Sequence, residues 1–336
     1  MVKKWIVVIT ALVLMIGSAG LYVVTQHDYN MVEQTIEIPT PDGKLTGTFV
    51  LPKEHTEKVG LVLFIHGDGP INATHDDGYK PLWEKLASIG YASLSLNKRG
   101  INGSAGNWLD QSMEERAEEA NQAILWAKQQ PMIDQERIGV WGASQAGWVI
   151  PKLAKKEPLA FSILVSPAIN WLTQGQYYTR SHLAKEGVSE QEIQAQLALD
   201  QQIVELLRRH APYEEYQQAA QQNKRMTREK WTFVSKNFLS DATEDLHHFR
   251  TPVLLLLGED DIHVDVKETE RVYREIIPPE LLTVTVFANT EHSMLSTKTA
   301  ESELRAWLIS LFAPRQITVQ GYMEQIEAFL LALEKQ

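Results

Sequence analysis

Cysteine is absent from this sequence of 336 residues. Its absence excludes disulfide bonds, thiolate nucleophiles, thiolate zinc sites and iron–sulfur clusters, because each of these needs a cysteine sulfur. Any nucleophile must therefore be an oxygen or a nitrogen atom. Positive charge is also scarce, since 32 lysine and arginine residues stand against 43 acidic ones for a formal net charge of −11. Such a charge repels phosphate backbones, so we expect no nucleic-acid partner.

The N-terminus carries an uncharged, mostly apolar run. Lys3 and Lys4 precede a stretch without charge from Trp5 to Gln26, which is the order of a membrane-directed segment. As a helix, this stretch is long enough to cross the roughly 30 Å hydrocarbon core of a bilayer. Residues 1–26 are therefore predicted to be a single-pass anchor in the cell membrane, with the rest of the chain on the extracytoplasmic side. The alternative is a signal peptide cleaved near the small residues 17–19, followed by secretion.

The remaining chain, residues 27–336, alternates apolar runs rich in β-branched residues with amphipathic stretches. Residues 34–52 are typical of a hairpin at an antiparallel edge. Buried strands are predicted at residues 61–65, 91–96, 138–141, 162–165, 253–257 and 282–287. Strands that alternate with helices indicate an α/β fold in which a mostly parallel sheet is covered by helices on both faces.

Two amphipathic regions complete this picture. The residues Met113, Ala117, Ala120, Ile124 and Ala127 recur at helical spacing, after a capping box formed by Ser112 and Glu115. A second region, about residues 170–250, has no strand-like run, and its apolar residues again follow helical spacing. We expect this helical insertion to form a lid over the carboxyl edge of the sheet, where ligands bind in such folds.

The segment 142–147, GASQAG, follows the predicted strand that ends at Trp141. Ser144 is flanked at two residues on either side by the small residues Gly142 and Ala146, between a strand and a helix. Only small residues fit the tight turn that pushes a serine outward at this point. The pattern therefore predicts a nucleophile elbow with Ser144 at its tip.

Three further segments lie at the carboxyl ends of predicted strands, and the second of them includes its strand. They are residues 66–70 (HGDGP), residues 252–264 (PVLLLLGEDDIHV) and residues 288–292 (ANTEH). Together with the elbow, and in this chain order, they resemble the oxyanion, nucleophile, acid and histidine loops of the α/β-hydrolase superfamily. Within that superfamily the chain looks similar to dienelactone-hydrolase-like and prolyl-oligopeptidase-like single-domain esterases.

This resemblance implies a serine hydrolase whose nucleophile is Ser144, whose acid is Asp261 and whose base is His292. The backbone N–H groups of Asp68 and Gln145 would form the oxyanion hole. A small-molecule acyl substrate is expected, a carboxylic ester first and a peptide or thioester as the alternative, with no metal or organic cofactor required. The sequence leaves the oligomeric state open.

Several alternatives remain at this stage. Asp68 stands where the family often has a small or neutral residue, and its carboxylate would oppose an oxyanion unless it points away. That departure favours a non-catalytic, membrane-tethered binding module as the rival function. Asp260 is the neighbouring rival for the acid. A metal site is the competing interpretation of the acid loop, although its spacing fits no calcium loop and no HExxH helix; its ligands would be Asp260, Asp261, His263 and Asp265.

Two expectations concern other polar residues. Arg99 follows the fourth strand in a glycine-rich loop, and we expect it to anchor that loop by hydrogen bonds to neighbouring carbonyl groups. Five residues of the insertion could line the substrate pocket, although packing or solvation is the simpler role for each: Trp171, Tyr177, Tyr178, Arg208 and Arg209.

Overall fold

The computed structural model describes residues 2–54, 57–220 and 225–335, except the side chains of residues 2, 3, 6–14 and 16. The strands are β1 (Met31–Thr40), β2 (Gly43–Pro52), β3 (Val59–Ile65), β4 (Tyr91–Leu96), β5 (Ile133–Ala143), β6 (Ser162–Val165), β7 (Val253–Gly258) and β8 (Leu282–Phe287). The α-helices are α1 (Val2–Gln26), α2 (Lys80–Ser88), α3 (Met113–Lys128), α4 (Ile150–Lys156), α5 (Trp171–Lys185), α6 (Glu190–Arg208), α7 (Tyr213–Ala219), α8 (Arg228–Asn237), α9 (Val266–Ile276), α10 (Thr297–Ala300), α11 (Glu303–Phe312) and α12 (Tyr322–Leu333).

The strands form one sheet in the order β1-β2-β4-β3-β5-β6-β7-β8. β1 pairs antiparallel with β2, and β2 pairs antiparallel with β4. From β4 to β8 every neighbouring pair is parallel. The predicted α/β fold, with a mostly parallel sheet and an antiparallel hairpin at one edge, is confirmed. Because the carboxyl ends of parallel strands meet at one edge, the loops after β3, β5, β7 and β8 are brought together there.

Helices cover both faces of the sheet. One apolar layer contains the buried sides of α3, α4 and α9, and the opposite layer contains those of α2 and α12. The predicted capping box of α3 is present, since Ser112 accepts from the N–H of Glu115 and the Glu115 carboxylate accepts from the N–H of Ser112. The five apolar residues predicted for its inner face are all buried. Burial of a large one such as Ile124 contributes about 1.5–3 kcal/mol.

The insertion between β6 and β7 consists of α5, α6, α7 and α8. One attachment to the sheet domain is made by Asn237, at the end of α8. Its side-chain amide donates to the carbonyl of Gln111 (3.0 Å), and its carbonyl oxygen accepts from the N–H of Met113 (3.0 Å). This amide is buried, so both of its polar ends are satisfied where α8 meets the start of α3.

The N-terminal helix α1 is tied to the domain at its end. Arg315 donates to the carbonyl of Gln26 (2.6 Å), and the ring of His27 lies 3.1 Å from the carbonyl of Leu311. In the parts of the chain that the structure describes, no helix is long and apolar enough to cross a membrane. The predicted anchor includes residues 6–14 and 16, whose side chains lie outside what the structure describes, so it stays a prediction.

Candidate active site

Ser144 lies directly after β5 with its backbone in the left-handed region, at φ 54°. A non-glycine residue in this conformation is uncommon and is often found at functional turns. A Cβ atom at Gly142 would stand 2.7 Å from the Cβ of Ala146 and 3.0 Å from the carbonyl oxygen of Ile65. The turn therefore has no room for a larger residue at position 142, as the elbow pattern predicts.

The loops after β7 and β8 bring Asp261 and His292 together. Nδ1 of His292 lies 2.7 Å from Oδ2 of Asp261, and the Asp261 side chain is fully buried. The second carboxylate oxygen accepts from the N–H groups of His263 (2.7 Å) and Val264 (3.0 Å). A carboxylate held by these donors is acceptor-only, so the His292 proton resides on Nδ1 and Nε2 is left as an acceptor.

Ser144 and His292 line the same cavity, whose volume is about 340 Å³. Asp68 and Gln145, the two residues predicted to supply oxyanion N–H groups, also line it. The structure thus places four of the five predicted site residues around one cavity at the carboxyl edge of the sheet, and the fifth, Asp261, contacts His292. A residue with a hydroxyl group and one with an imidazole thus line the same cavity as the two residues predicted to supply main-chain amides.

Two buried basic side chains hold the loop after β3. Nζ of Lys98 donates to the carbonyl of Gly67 (2.5 Å), and Arg116 donates to the carbonyl of His66 (2.6 Å). The Gly67–Asp68 peptide is trans, because the described chain has no cis peptide. In a trans peptide the C=O and the N–H point in opposite directions. Lys98 therefore fixes the direction of the Asp68 N–H, which is one of the two predicted oxyanion donors.

Arg116 also links this loop to the nucleophile elbow. Its second nitrogen donates to the side-chain carbonyl of Gln145 (2.5 Å). Burial and then the positive charge of Arg116 hold the pKa of Lys98 well below its usual value. Burial also lowers the pKa of Arg116 to about 10. The guanidinium is thus protonated at neutral pH, and it links the loop after β3 to the elbow through its bonds to His66 and Gln145.

The Asp68 carboxylate is occupied by two other groups. Nζ of Lys230, on the lid helix α8, lies 3.2 Å from Oδ2, and the Gln145 amide donates to Oδ1 (3.1 Å). Partial burial raises the pKa of Asp68, but the charge and hydrogen bond of Lys230 outweigh it, and the pKa lies below its usual value. The carboxylate is therefore ionised and neutralised by a lysine.

His66 is a buried histidine with a structural role. Its Nε2 lies 2.6 Å from the carbonyl of Leu96 and its Nδ1 lies 3.1 Å from the hydroxyl of Tyr79. Burial, followed by the positive charge of Lys98, lowers the pKa of His66 to about 3. The ring is therefore neutral at physiological pH, donates from Nε2 and accepts the Tyr79 hydroxyl at Nδ1.

Helix α5 of the insertion is bonded to the acid loop. The hydroxyl of Tyr177 donates to the main-chain carbonyl of Asp261 (2.9 Å), and the amide of Gln174 donates to that of His263 (3.1 Å). The His263 ring lies 4.8 Å from the His292 ring and stacks on Tyr178. Burial and the charge of His292 lower the pKa of His263, so His263 is biased toward its neutral form beside the base.

The remaining residues of the acid loop have other partners. Asp260 accepts from the hydroxyl of Thr297 (2.5 Å), and Asp265 caps the start of α9. Across the described ranges, no group of three or more possible metal ligands occurs.

The structure also bears on the expectations for Arg99 and for the insertion residues that could line the pocket. Arg99 pairs with the Glu119 carboxylate (2.7 Å) instead of neighbouring carbonyls, because the first turns of α3 bring that acid beside it. Trp171 and Tyr178 line the cavity with Ser144, whereas Arg208 lines a separate one within the insertion. Arg209 pairs with Glu215.

Three cations of the site were missed at the sequence level: Lys98, Arg116 and Lys230. Arg116 did carry a signal, because it lies at helical spacing from the inner-face positions Met113 and Ala120 of α3 and next to Ala117. Lys98 and Lys230 carried none, since their partners are distant in sequence.

Comparisons with known proteins agree on the fold. Residues 42–294 match the family model described as X-Pro dipeptidyl-peptidase (S15 family). No curated protein sequence matches the chain. An esterase from Pyrococcus furiosus superposes with a TM-score of 0.56 at 17% identity, covering 90% of this chain and 91% of that one.

Two further solved structures are similar to the chain. Est1E from Butyrivibrio proteoclasticus gives a TM-score of 0.56 at 15% identity, covering 90% of this chain and 99% of that one. The acylaminoacyl peptidase of Pyrococcus horikoshii gives 0.55 at 16% identity, over 94% of this chain but 43% of that longer one. At these identities the likeness shows a shared fold.

Proposed function

Because the chain belongs to the X-Pro dipeptidyl-peptidase (S15) family and is a serine hydrolase of the α/β-hydrolase fold, we propose that it cleaves carboxylic esters through an acyl-enzyme on Ser144. The observation that carries the proposal is the 2.7 Å contact between His292 and Asp261, with His292 and Ser144 lining one cavity. A serine hydroxyl is a weak nucleophile at neutral pH and needs such a base.

In the proposed cycle, Oγ of Ser144 attacks the acyl carbon while Nε2 of His292 takes the hydroxyl proton. Asp261 keeps the ring oriented and stabilises the imidazolium that forms. The oxyanion accepts hydrogen bonds from the N–H groups of Asp68 and Gln145, and each donor is worth about 3 kcal/mol of barrier. Collapse expels the alkoxide, which takes the proton from His292. Water, activated by the same histidine, then releases the acid and restores Ser144.

The charges of the cavity support an ester over an X-Pro peptide. A dipeptidyl-peptidase substrate brings a cationic amino terminus close to the scissile bond, and burial of that cation calls for a carboxylate partner. Among the described residues that line the cavity, Asp68 is the one carboxylate, and Lys230 already neutralises it. A neutral ester needs no such partner. The family match is the observation that favours peptidase activity as the second candidate.

A fluorophosphonate probe tests the proposal directly. We expect the wild type to be labelled covalently and Ser144→Ala to remain unlabelled while folded. Turnover is then compared between p-nitrophenyl esters and Ala-Pro p-nitroanilide. Faster cleavage of esters supports the proposal, whereas preference for the anilide reassigns the chain to peptidase activity. A folded wild type that neither reacts with the probe nor turns over either substrate would support the non-catalytic binding module.

A further inference from the structure

The insertion contains a second cavity, of about 450 Å³, between α5, α6 and α7. Its volume lies in the range of small-molecule sites. Helix α5 forms a wall of both cavities, because three of its residues at helical spacing, Trp171, Gly175 and Tyr178, line the lid cavity and the catalytic cavity alike. The two spaces are therefore adjacent across one stripe of a single helix.

Gly175 is the position on that stripe that has no side chain. It lies between two aromatic residues, and a Cβ atom built on it would meet no atom within 4 Å. Glycine inside a helix costs about 1 kcal/mol relative to alanine, and here no close backbone contact or positive φ requires it. A side chain added at this position would therefore enter open space on the stripe that the two cavities share.

The walls of the lid cavity are mostly apolar. Leu199, Ile203 and Val204 of α6 face Tyr216 of α7 across it. The acid among the lining residues, Asp200, is bonded by the hydroxyl of Thr179 (3.0 Å) and the amide of Gln196 (2.8 Å). Its carboxylate is thereby satisfied by the wall itself, which leaves apolar surface for a ligand.

We propose that the lid cavity binds the apolar acyl group of the substrate, which passes Gly175 while its carbonyl lies at Ser144. The inference rests on the proposed esterase function and narrows its substrate class to esters of medium-length alkyl or arylalkyl acids. Burial of apolar surface drives such binding, and each buried methylene is worth about a fourfold gain in binding at most.

The first test measures kcat/KM for p-nitrophenyl esters from acetate to dodecanoate. We expect kcat/KM to rise about two- to fourfold per methylene over part of the series. Gly175→Leu should lower the decanoate-to-acetate ratio of kcat/KM at least tenfold, whereas Gly175→Ala, the matched control, should change it less than threefold. Ile203→Trp fills the cavity from α6 and should lower the ratio in the same way if the leucine variant fails to fold.

The second test does not depend on turnover. Decanoic acid is titrated calorimetrically into Ser144→Ala and into the Ser144→Ala/Gly175→Leu double variant, and we expect affinity to fall at least tenfold in the double variant. Equal affinities, or a wild type that hydrolyses all chain lengths equally, would overturn the lid-cavity proposal and leave the esterase intact. No ester turnover and no fluorophosphonate labelling, with decanoate still bound, would instead remove the proposed esterase activity.

Discussion

The carboxylate of Asp68 lies 3.2 Å from the ammonium group of Lys230, so that a residue of the sheet domain is neutralised by a residue of the lid. An unpaired carboxylate at this position would raise the energy of an adjacent oxyanion. The pair resolves the conflict that Asp68 poses in the sequence, and it makes the electrostatics of the oxyanion position depend on where the lid helix α8 stands.

Removal of the lysine should therefore slow ester hydrolysis. Because both side chains are partly exposed, the pair is worth up to about 1 kcal/mol, and we expect Lys230→Met to lower kcat about three- to fivefold at low salt. Asp68→Asn/Lys230→Met should recover most of the loss, since no charge is then left uncompensated. Steady-state kinetics at low and high ionic strength measure both effects. A double variant slower than Lys230→Met would contradict this electrostatic account.

The acid loop offers a matched pair of adjacent residues. Asp261→Asn should lower kcat about ten-thousandfold, because the amide no longer holds the proton on Nδ1 of His292. Asp260→Asn removes a charge at the next position, whose partner is Thr297, and should cost less than threefold. Both variants are compared by kcat for p-nitrophenyl acetate and by thermal unfolding. The reverse ranking would move the catalytic acid by one residue.

Lys98 is expected to act as a positioning residue for the oxyanion. Lys98→Met frees the Gly67 carbonyl, which accepts from Nζ of Lys98 at 2.5 Å, so the Asp68 N–H loses its fixed direction. We expect kcat to fall about ten- to a hundredfold with little change in KM, which is less than the roughly hundred- to thousandfold loss that follows outright removal of an oxyanion donor. The control is Lys152→Met, on α4, which breaks an ion pair with Asp245. Equal losses in the two variants would reduce Lys98 to a general stabilising role.

His66 should contribute to acid denaturation. Its pKa in the folded protein, about 3, lies below the unfolded value near 6.5. Below pH 6.5 the unfolded chain therefore binds a proton that the folded protein does not, and stability falls as the pH drops toward 3. His66→Gln keeps a donor for Leu96 without titrating.

The free energy of unfolding from urea titrations at pH 4 to 7 measures this effect. The acid-side slope should be shallower in His66→Gln by up to about 1.4 kcal/mol per pH unit. His247→Gln, at an exposed position, should leave the slope unchanged. Identical slopes in the two variants would show that His66 is not the group responsible.

The N-terminal segment is expected to act only as a tether. A chain that lacks residues 1–24 keeps Gln26 and His27, whose contacts with α11 and Arg315 tie the segment to the domain. We expect the full chain to sediment with membranes and the truncated chain to stay in the supernatant with the same kcat/KM. Full-length protein recovered from the supernatant with residue 1 in place would exclude the anchor, and recovery without residues 1–19 would indicate a cleaved signal.

Much of the site architecture was predictable because it obeys local rules. The apolar runs before His66, Ser144 and Asp261 are strands that end within two residues of the predicted positions, although β5 begins five residues before its predicted start. Each loop follows a parallel strand, so the topology alone brings the loops to one edge. The small residues beside Ser144 follow from the steric limits of the turn, which act over only a few positions.

The basic side chains that contact the site loops were not predictable in the same way. Arg116 lies 50 residues from His66 and 29 residues from Gln145, and Lys230 lies 162 residues from Asp68. Such pairs have no periodicity, because they depend on how helices of different segments pack on the sheet. The expectation for Arg99 was wrong for this reason, since Glu119 reaches it from a neighbouring helix.

The sequence by itself determined the order of strands and helices along the chain and the elbow pattern at Ser144, since backbone periodicity and turn sterics are local. The assignments of Asp261 and His292 came from the resemblance to the α/β-hydrolase superfamily. Tertiary structure alone decided which cation faces which carbonyl, that the Asp68 charge is neutralised, and that a second cavity adjoins the first at Gly175. These features arise where the lid, the sheet and α3 come into contact, and contact between distant segments is fixed only when the whole core is packed.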